Sequence, residues 1–305
     1  MSSHSPVVEL DVRYLDMPGA ARAFLVRTGG RPLLVETGTQ ACLPTLQAAL
    51  RAEGVAPEDV SDVFVTHIHL DHAGAAGWFA CRGARLHVHP FGAAHMVDPG
   101  RLIDSSRRVH GSAYERYYGD PVAAPADRVH AVADGTRIEC GDVSLRAVET
   151  PGHARHHHAW LLEHAGGRDL FTGDAAATVV PGSSFVAVPT PPPEYDPQAW
   201  FRSLDRLRAE AADRLRLTHG GTVTPPGPFL DVMERSLREE DAVQRGLLEA
   251  GLPPEETLAR YRAWLEPRAA AQGVKGDAAV RFVGEAWMKM NLAGVRRSME
   301  RPRVH

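Results

Sequence analysis

Lysine is almost missing from this chain. Of its 305 residues only Lys275 and Lys289 are lysine, and both lie near the C-terminus. A Schiff-base lysine or the lysine of a phosphate-binding loop is therefore excluded from everything before them. Cysteine is scarce as well. Cys42, Cys81 and Cys140 stand far apart with no C-x-x-C pair, which excludes a disulfide framework and a cysteine zinc knuckle and fits a reducing cytoplasm. No surplus of positive charge exists either. Thirty-four basic and 38 acidic residues leave a formal charge of −4, without the clustered cations that an extensive nucleic-acid footprint needs. The first residues lack the basic-then-apolar order of a signal peptide. Residues 175–193 carry no charge over a near-membrane length, but Pro181, Gly182, Pro189 and the prolines at 191–193 interrupt them. They cannot form a continuous spanning helix and read as a buried or pocket-lining loop. The expectation is a cytoplasmic protein without a nucleic-acid or membrane partner, acting on a small molecule.

What remains is ordinary for a globular chain with a real core, at 44% hydrophobic and 24% charged residues. Short β-type runs open it at residues 7–15, 23–27 and 33–35, followed by helical spacing over 42–53. A buried strand at 62–66 runs straight into His67. Strands and helices then alternate, with a helix at 73–80, a strand at 85–88 and a polar segment at 98–120. Further strands fall near Val129 and at 143–148, 159–163, 169–171 and 215–217. Beyond Pro228 the periodicity is helical over 229–250, 254–270 and 277–301, with Gly/Pro breaks between. The division is an α/β domain over 1–225 and a helical C-terminal extension over 226–305. The extension packs on the core, or else serves as a substrate lid or a homodimer contact.

Histidine is the residue in excess, at 16 copies. The run Thr66-His67-Ile68-His69-Leu70-Asp71-His72 places four ligand-type side chains in six residues at the end of a strand. Imidazole and carboxylate suit Zn, Fe, Mn or Co. His67 and His69 project to one side of an extended segment, and a following helical turn carries Asp71 and His72 toward a neighbouring position. Three later residues, His153, Asp174 and His219, each end a strand beside glycine. Together the seven read as one site. The nearby trio His156, His157 and His158 reads as polar surface or loop packing, with His157 facing the side of His153 if the segment is a strand. His87 and His89 read as structural.

These residues, in this order, resemble the metallo-β-lactamase-fold hydrolase superfamily over roughly residues 7–221. The resemblance implies an αββα four-layer sandwich of two mixed sheets flanked by helices. It implies two divalent ions, zinc first and iron or manganese as alternatives. His67, His69 and His153 would hold one, Asp71, His72 and His219 the other, with Asp174 bridging. Many members carry Asp-x-Gly where this chain has Glu36-Thr37-Gly38, so Glu36 is a support residue that orients the metal loop. His69 argues against the superfamily's flavin-partnered redox branch, which has glutamate there.

Two such ions would acidify a bridging water and clamp the developing oxyanion, with Asp71 as both ligand and acceptor of the water's proton. The expected reaction is hydrolysis of an ester, thioester or lactone. Its alternative on the same fold is a single-iron persulfide dioxygenase. Glyoxalase II-like thioesterases are the nearest neighbours by motif. The lysine clamps used by them and by β-lactamases are missing, however, and Ala177 stands where lactonases often carry tyrosine. An apolar wall over 179–195 and a rim from Arg107, Arg108, Tyr114, Tyr117 and Tyr118 are expected in their place.

Overall fold

The computed structural model describes residues 5–301. Its strands are β1 (Val7–Asp11), β2 (Arg22–Val26), β3 (Leu33–Val35), β4 (Asp62–Phe64), β5 (Arg85–Val88) and β6 (Val129–Ala131), followed by β7 (Arg137–Cys140), β8 (Val143–Glu149), β9 (His158–His164) and β10 (Gly167–Phe171). A two-stranded ribbon, β11 (Thr178–Val179) and β12 (Val186–Ala187), precedes β13 (Arg214–Leu217) and β14 (Gly221–Val223). The helices are α1 (Leu43–Ala52), α2 (Leu70–Ala73), α3 (Ala76–Ala80), α4 (Pro90–Val97), α5 (Gly100–His110), α6 (Tyr114–Tyr117), α7 (Pro197–Ala209), α8 (Pro226–Glu249), α9 (Pro254–Ala271), α10 (Gly276–Phe282) and α11 (Glu285–Glu300).

The strands form two six-stranded sheets. One has the order β1-β2-β3-β4-β5-β6 and the other β14-β13-β10-β9-β8-β7. Both are mixed, since β3 through β6 run parallel while β1, β2 and β3 alternate, and β10 parallels β13 within an otherwise antiparallel sheet.

Strand side chains alternate between the two faces of a sheet, and here both faces are apolar. Phe24, Val26, Leu33, Val35 and Phe64 of the first sheet meet Leu145, Ala147, Trp160, Leu162 and Phe171 of the second. Their neighbours Leu25, Leu34 and Val63 turn outward against Leu46 and Leu50 of α1 and Phe79 of α3. On the far side Leu161, Leu170 and Leu215 pack on Trp200 and Leu204 of α7 and on Met233 and Leu237 of α8. Such double burial produces the expected four layers.

The C-terminal helices join the same cores. Tyr261, Leu265, Phe282 and Met288 share a cluster with Val180, Phe185 and Ala187, while Leu230 and Val295 lie in the cluster of the second sheet. Among the described residues, no helix is long and apolar enough to cross a membrane.

Three local readings need correction. The first strand stops at Asp11, because Arg13, Leu15 and Asp16 take left-handed backbone angles of φ 53, 59 and 60. The polar segment 98–120 contains α5, whose Leu102, Ile103, Ser106 and His110 are half-buried at helical spacing, with Leu102 and Ile103 packed against the first core. The last helical run is broken at Gly284 into α10 and α11.

A polar knot sits among the C-terminal helices. The Glu240 carboxylate on α8 accepts from Tyr261 on α9, and from Gln244 and Asn291 at 3.3 Å. Burial pushes the Glu240 carboxyl up to about 7 from 4.5, although the bonds from Tyr261 and Asn291 pull the other way. The folded value stands above the ordinary one, so the contribution to stability is complete below pH 4.5 and is lost as pH rises through 7. The loss amounts to about 3 kcal/mol at 1.36 kcal/mol per pKa unit. Glu240→Gln is expected to flatten this part of the profile. Thermal denaturation of both proteins between pH 5 and 8 should show a gap widening in favour of the variant, and parallel curves would refute the assignment.

Candidate metal centre

Topology gathers the donors. Parallel pairing sets the C-terminal ends of β3 and β4 side by side, in register at Val35 and Phe64. Glu36 and the His67 loop therefore leave along one edge. In the second sheet β10 parallels β13, so Asp174 and His219 leave together. The β8–β9 connection carrying His153 returns at that same end, with Trp160 opposite Phe171. The two edges meet, as expected for ligand sites beyond the carboxyl ends of strands.

All seven expected residues converge, in two groups. Donor atoms of His67, His69, His153 and Asp174 lie within 4.8 Å of one another, and so do those of Asp71, His72 and His219. In the first group His69 Nδ1 is 2.8 Å from His67 Nε2 and 2.9 Å from His153 Nε2. Asp174 Oδ2 stands 3.1 Å from His153 Nε2 and 3.9 Å from His67 Nε2. In the second group His72 Nε2 and His219 Nε2 are 3.3 Å apart, and Asp71 Oδ2 is 3.4 Å from His219 Nε2. The other oxygen of Asp174, Oδ1, faces this group, 3.2 Å from His72 and 3.6 Å from His219. One carboxylate thus spans both.

Outer contacts aim the rings. His72 Nδ1–H donates to Glu36 Oε2 at 2.9 Å, His153 Nδ1–H to the Pro189 carbonyl at 3.0 Å and His219 Nδ1–H to the Ala20 carbonyl at 2.6 Å. Each bond leaves the Nε2 atom facing the cluster. Glu36 also accepts the Thr66 N–H at 2.8 Å through Oε1, so one fully buried carboxylate braces both the strand end and a histidine. It does so from a left-handed backbone, φ 64, a conformation that costs roughly 1–3 kcal/mol at a non-glycine residue. Gly173, at φ 47, is required by closeness: a Cβ there would stand 2.4 Å from Thr66 Oγ1.

Electrostatics divides the groups. Burial, with help from neighbouring imidazoles, holds His67 well below its ordinary value and His69 at about 3. Burial also lowers His153. These rings are neutral, the form that ligates. At His72 burial pushes down, but the carboxylates of Asp174, Glu36 and Asp71 outweigh it and raise the ring well above its usual range. His219 is raised against burial by Asp71 and Asp174. Asp71 and Asp174 are held ionised despite burial by the imidazoles around them. Asp174 Oδ1 is buried and accepts no hydrogen bond. Inward-facing imidazole nitrogens together with ionised carboxylates are a donor set suited to metal ions.

Other expectations fared differently. His156, His157 and His158 are buried, not surface residues. His156 and His157 precede β9, so strand alternation does not apply to them. The His157 ring lies 4.9 Å from His67 and the His156 ring 5.5 Å from His69. The proposed apolar wall is mostly core, since Val180, Val188 and Tyr195 are buried and the Tyr195 hydroxyl donates to Asp241. Arg107 is bound to Glu115 and Asp120. Tyr14, which carried no sequence signal, packs 6.1 Å from His219 and shares a hydroxyl–hydroxyl hydrogen bond with Tyr118. Trp200 was also missed, and its indole donates to the Ala175 carbonyl beside Asp174 at 2.7 Å. Replacing Glu36 by Gln removes the charge behind His72 while keeping its shape. Metal retention is expected to weaken about 10–100-fold with an unchanged circular dichroism spectrum, and equal affinities in equilibrium dialysis against Zn²⁺ would remove Glu36 from this account.

Comparison with known proteins agrees with the geometry. A metallo-beta-lactamase fold-containing protein of Sulfurisphaera tokodaii is 29% identical over 181 residues, covering 58% of this chain and 65% of that protein. An atrochrysone carboxyl ACP thioesterase of Aspergillus fumigatus is 30% identical over 152 residues, or 50% of this chain and 38% of the relative. The matched parts thus span less than two thirds of these curated relatives. The crystal structure of an archaeal metallo-beta-lactamase superfamily protein from Sulfolobus tokodaii superposes with a TM-score of 0.68 at 22% identity, covering 97% of this chain and all of that one. The family model of the metallo-beta-lactamase superfamily matches residues 16–219. That stretch takes in Glu36 and all seven donors, and the chain belongs to this superfamily.

Proposed function

We propose that the protein is a hydrolase working with two divalent metal ions, zinc being the best fit, on the carbonyl of a small ester, thioester or lactone. The observation that carries this reading is the Asp174 carboxylate, which turns Oδ2 to one donor group and Oδ1 to the other. When bound, such a pair of ions acidifies a water to hydroxide at neutral pH and polarises the carbonyl under attack. The chain's own residues do the rest. His67, His69 and His153 would hold one ion, and Asp71, His72 and His219 the other. Asp71, ionised and with 22% of its side chain exposed, is placed to accept the proton released by the attacking water. Glu36 keeps His72 aimed.

The complete second group supports two ions over the single iron of a persulfide dioxygenase. Carbonyl chemistry is favoured over phosphodiester cleavage by the formal charge of −4 and by the near-absence of lysine. A thioester is favoured among carbonyls by the likeness to a protein named as a thioesterase. Cys42, Cys81 and Cys140 are all free, in keeping with a reducing cytoplasm as the place of work.

The test is a panel of acyl thioesters, lactones, esters and phosphodiesters offered to Zn²⁺-loaded protein, with a persulfide and an oxygen electrode alongside. Carbonyl hydrolysis is expected, falling by about 100-fold or more in Asp71→Asn. Exclusive phosphodiester turnover, or oxygen uptake with the persulfide, would replace the proposal.

A further inference from the structure

The ligand-type residue His153 is aimed by a carbonyl rather than a side chain, and that carbonyl is itself held from far along the sequence. Pro189 O accepts His153 Nδ1–H at 3.0 Å. The residues on either side of Pro189 are both bound by Asn291 of α11. Asn291 Nδ2 donates to Val188 O at 3.0 Å, and Asn291 Oδ1 accepts the Thr190 N–H at 3.0 Å. Thr190 Oγ1 returns a bond to the Asn291 carbonyl at 3.2 Å. Asn291 is fully buried and Thr190 nearly so.

Asn291 is in turn seated by the polar knot. Its Nδ2 reaches Glu240 Oε1 at 3.3 Å, and that oxygen also takes the Tyr261 hydroxyl. Gln244 bonds the Tyr261 hydroxyl at 3.0 Å. Three helices therefore fix one amide. Backbone closeness gives a second, independent sign. Gly294, one turn beyond Asn291, lies so near the loop that a Cβ would stand 1.8 Å from Thr190 O and 2.9 Å from the Pro191 carbonyl carbon. Glycine costs a helix interior roughly 1 kcal/mol against alanine, and at this place it admits the loop.

We propose that Asn291 is a positioning residue for His153, acting through the Pro189 carbonyl, so that the C-terminal helices complete the His67/His69/His153 group. The proposal rests on the reading of that group as a metal site. The chain of bonds Asn291–(Val188, Thr190)–Pro189–His153 fixes the imidazole's tautomer and direction, as outer contacts do for metal-binding histidines generally. Removing the amide frees the 188–190 segment and lets the ring turn away from His69 Nδ1.

Zn²⁺ titration of the full-length protein against a chromophoric chelator tests this, with His153→Ala identifying which bound equivalent belongs to the first group. Asn291→Ala and Thr190→Val are each expected to weaken that equivalent about 10-fold and to leave the other unchanged. Leu50→Ala, which opens a cavity beneath α1 on the outer face of the first sheet, destabilises the protein and is expected to leave both equivalents in place. Thr190→Val removes only the hydroxyl bond to the Asn291 carbonyl, so Asn291→Asp, which keeps an acceptor for the Thr190 N–H but loses the donor to Val188 O, decides the matter should Asn291→Ala fail to fold. Unchanged retention in the folded variants, or an equal loss in Leu50→Ala, would overturn the proposal alone. A wild-type protein that takes up no Zn²⁺ would overturn the reading of the site, and this inference with it.

Discussion

A carboxylate with both oxygens turned toward imidazole nitrogens is the constraint around which this molecule is arranged. Asp174 is buried, and an ionised carboxylate taken out of water is stable only where positive charge or donors meet it. Here the His72 ring, raised well above its usual range, stands 3.2 Å from one oxygen, while the other faces the lone pair of the neutral His153 ring at 3.1 Å and calls for a cation. Neither sheet alone supplies both neighbours. His72 comes from the helical turn beyond the first sheet and His153 from a loop of the second, so the carboxylate has suitable surroundings only when the sheets are packed face to face. Phe24, Phe64, Trp160 and Phe171, which lie between the sheets, thus set the site as well as the core. Trp160 makes the link explicit, its indole N–H donating to Val65 O at 3.0 Å, one residue before the His67 loop begins.

The seven donors were legible because their signal is local. Four of them fall within six residues, and each of the others ends an apolar run beside a glycine. Nothing in that pattern requires knowledge of distant contacts. Glu36 was legible for a similar reason, lying just past β3 at a place where an acid has a defined task, although its left-handed backbone was not. The layers followed from strand runs with both faces apolar.

What escaped reading is backbone or context. The carbonyls of Ala20 and Pro189 orient His219 and His153, and a carbonyl is the same whatever residue carries it. Tyr14 and Trp200 reach the site from segments whose sequence points elsewhere. His156 and His157 lie in the turn before β9 begins at His158, where neither strand alternation nor polarity says that they are buried beside the ligand-type histidines. The apolar stretch after Asp174 looked like a pocket wall because burial beneath helices and burial beneath a ligand use the same side chains. Its neighbour across the interface is a set of helices more than thirty residues later in the chain.

Those helices carry a buried acid, Glu240, among apolar side chains. A carboxyl forced up to about 7 by burial lowers stability at neutral pH, and replacing buried polar groups by well-packed apolar ones is often neutral or stabilising. The helices need no such group merely to adhere, since Leu230, Met233 and Leu237 are already buried in the core of the second sheet and Tyr261 and Leu265 in that of the first. Apolar contacts are non-directional, however, and leave a helix free to slide and turn by fractions of an ångström. A carboxyl shared by a tyrosine, a glutamine and an asparagine permits one arrangement, and departures from it leave buried polar atoms unpaired. The asparagine so fixed is the one that grips both neighbours of Pro189. Position is what the knot contributes, and the loss of stability is the cost of holding an imidazole still at the far end of a chain of hydrogen bonds that runs from the C-terminal helices to His153.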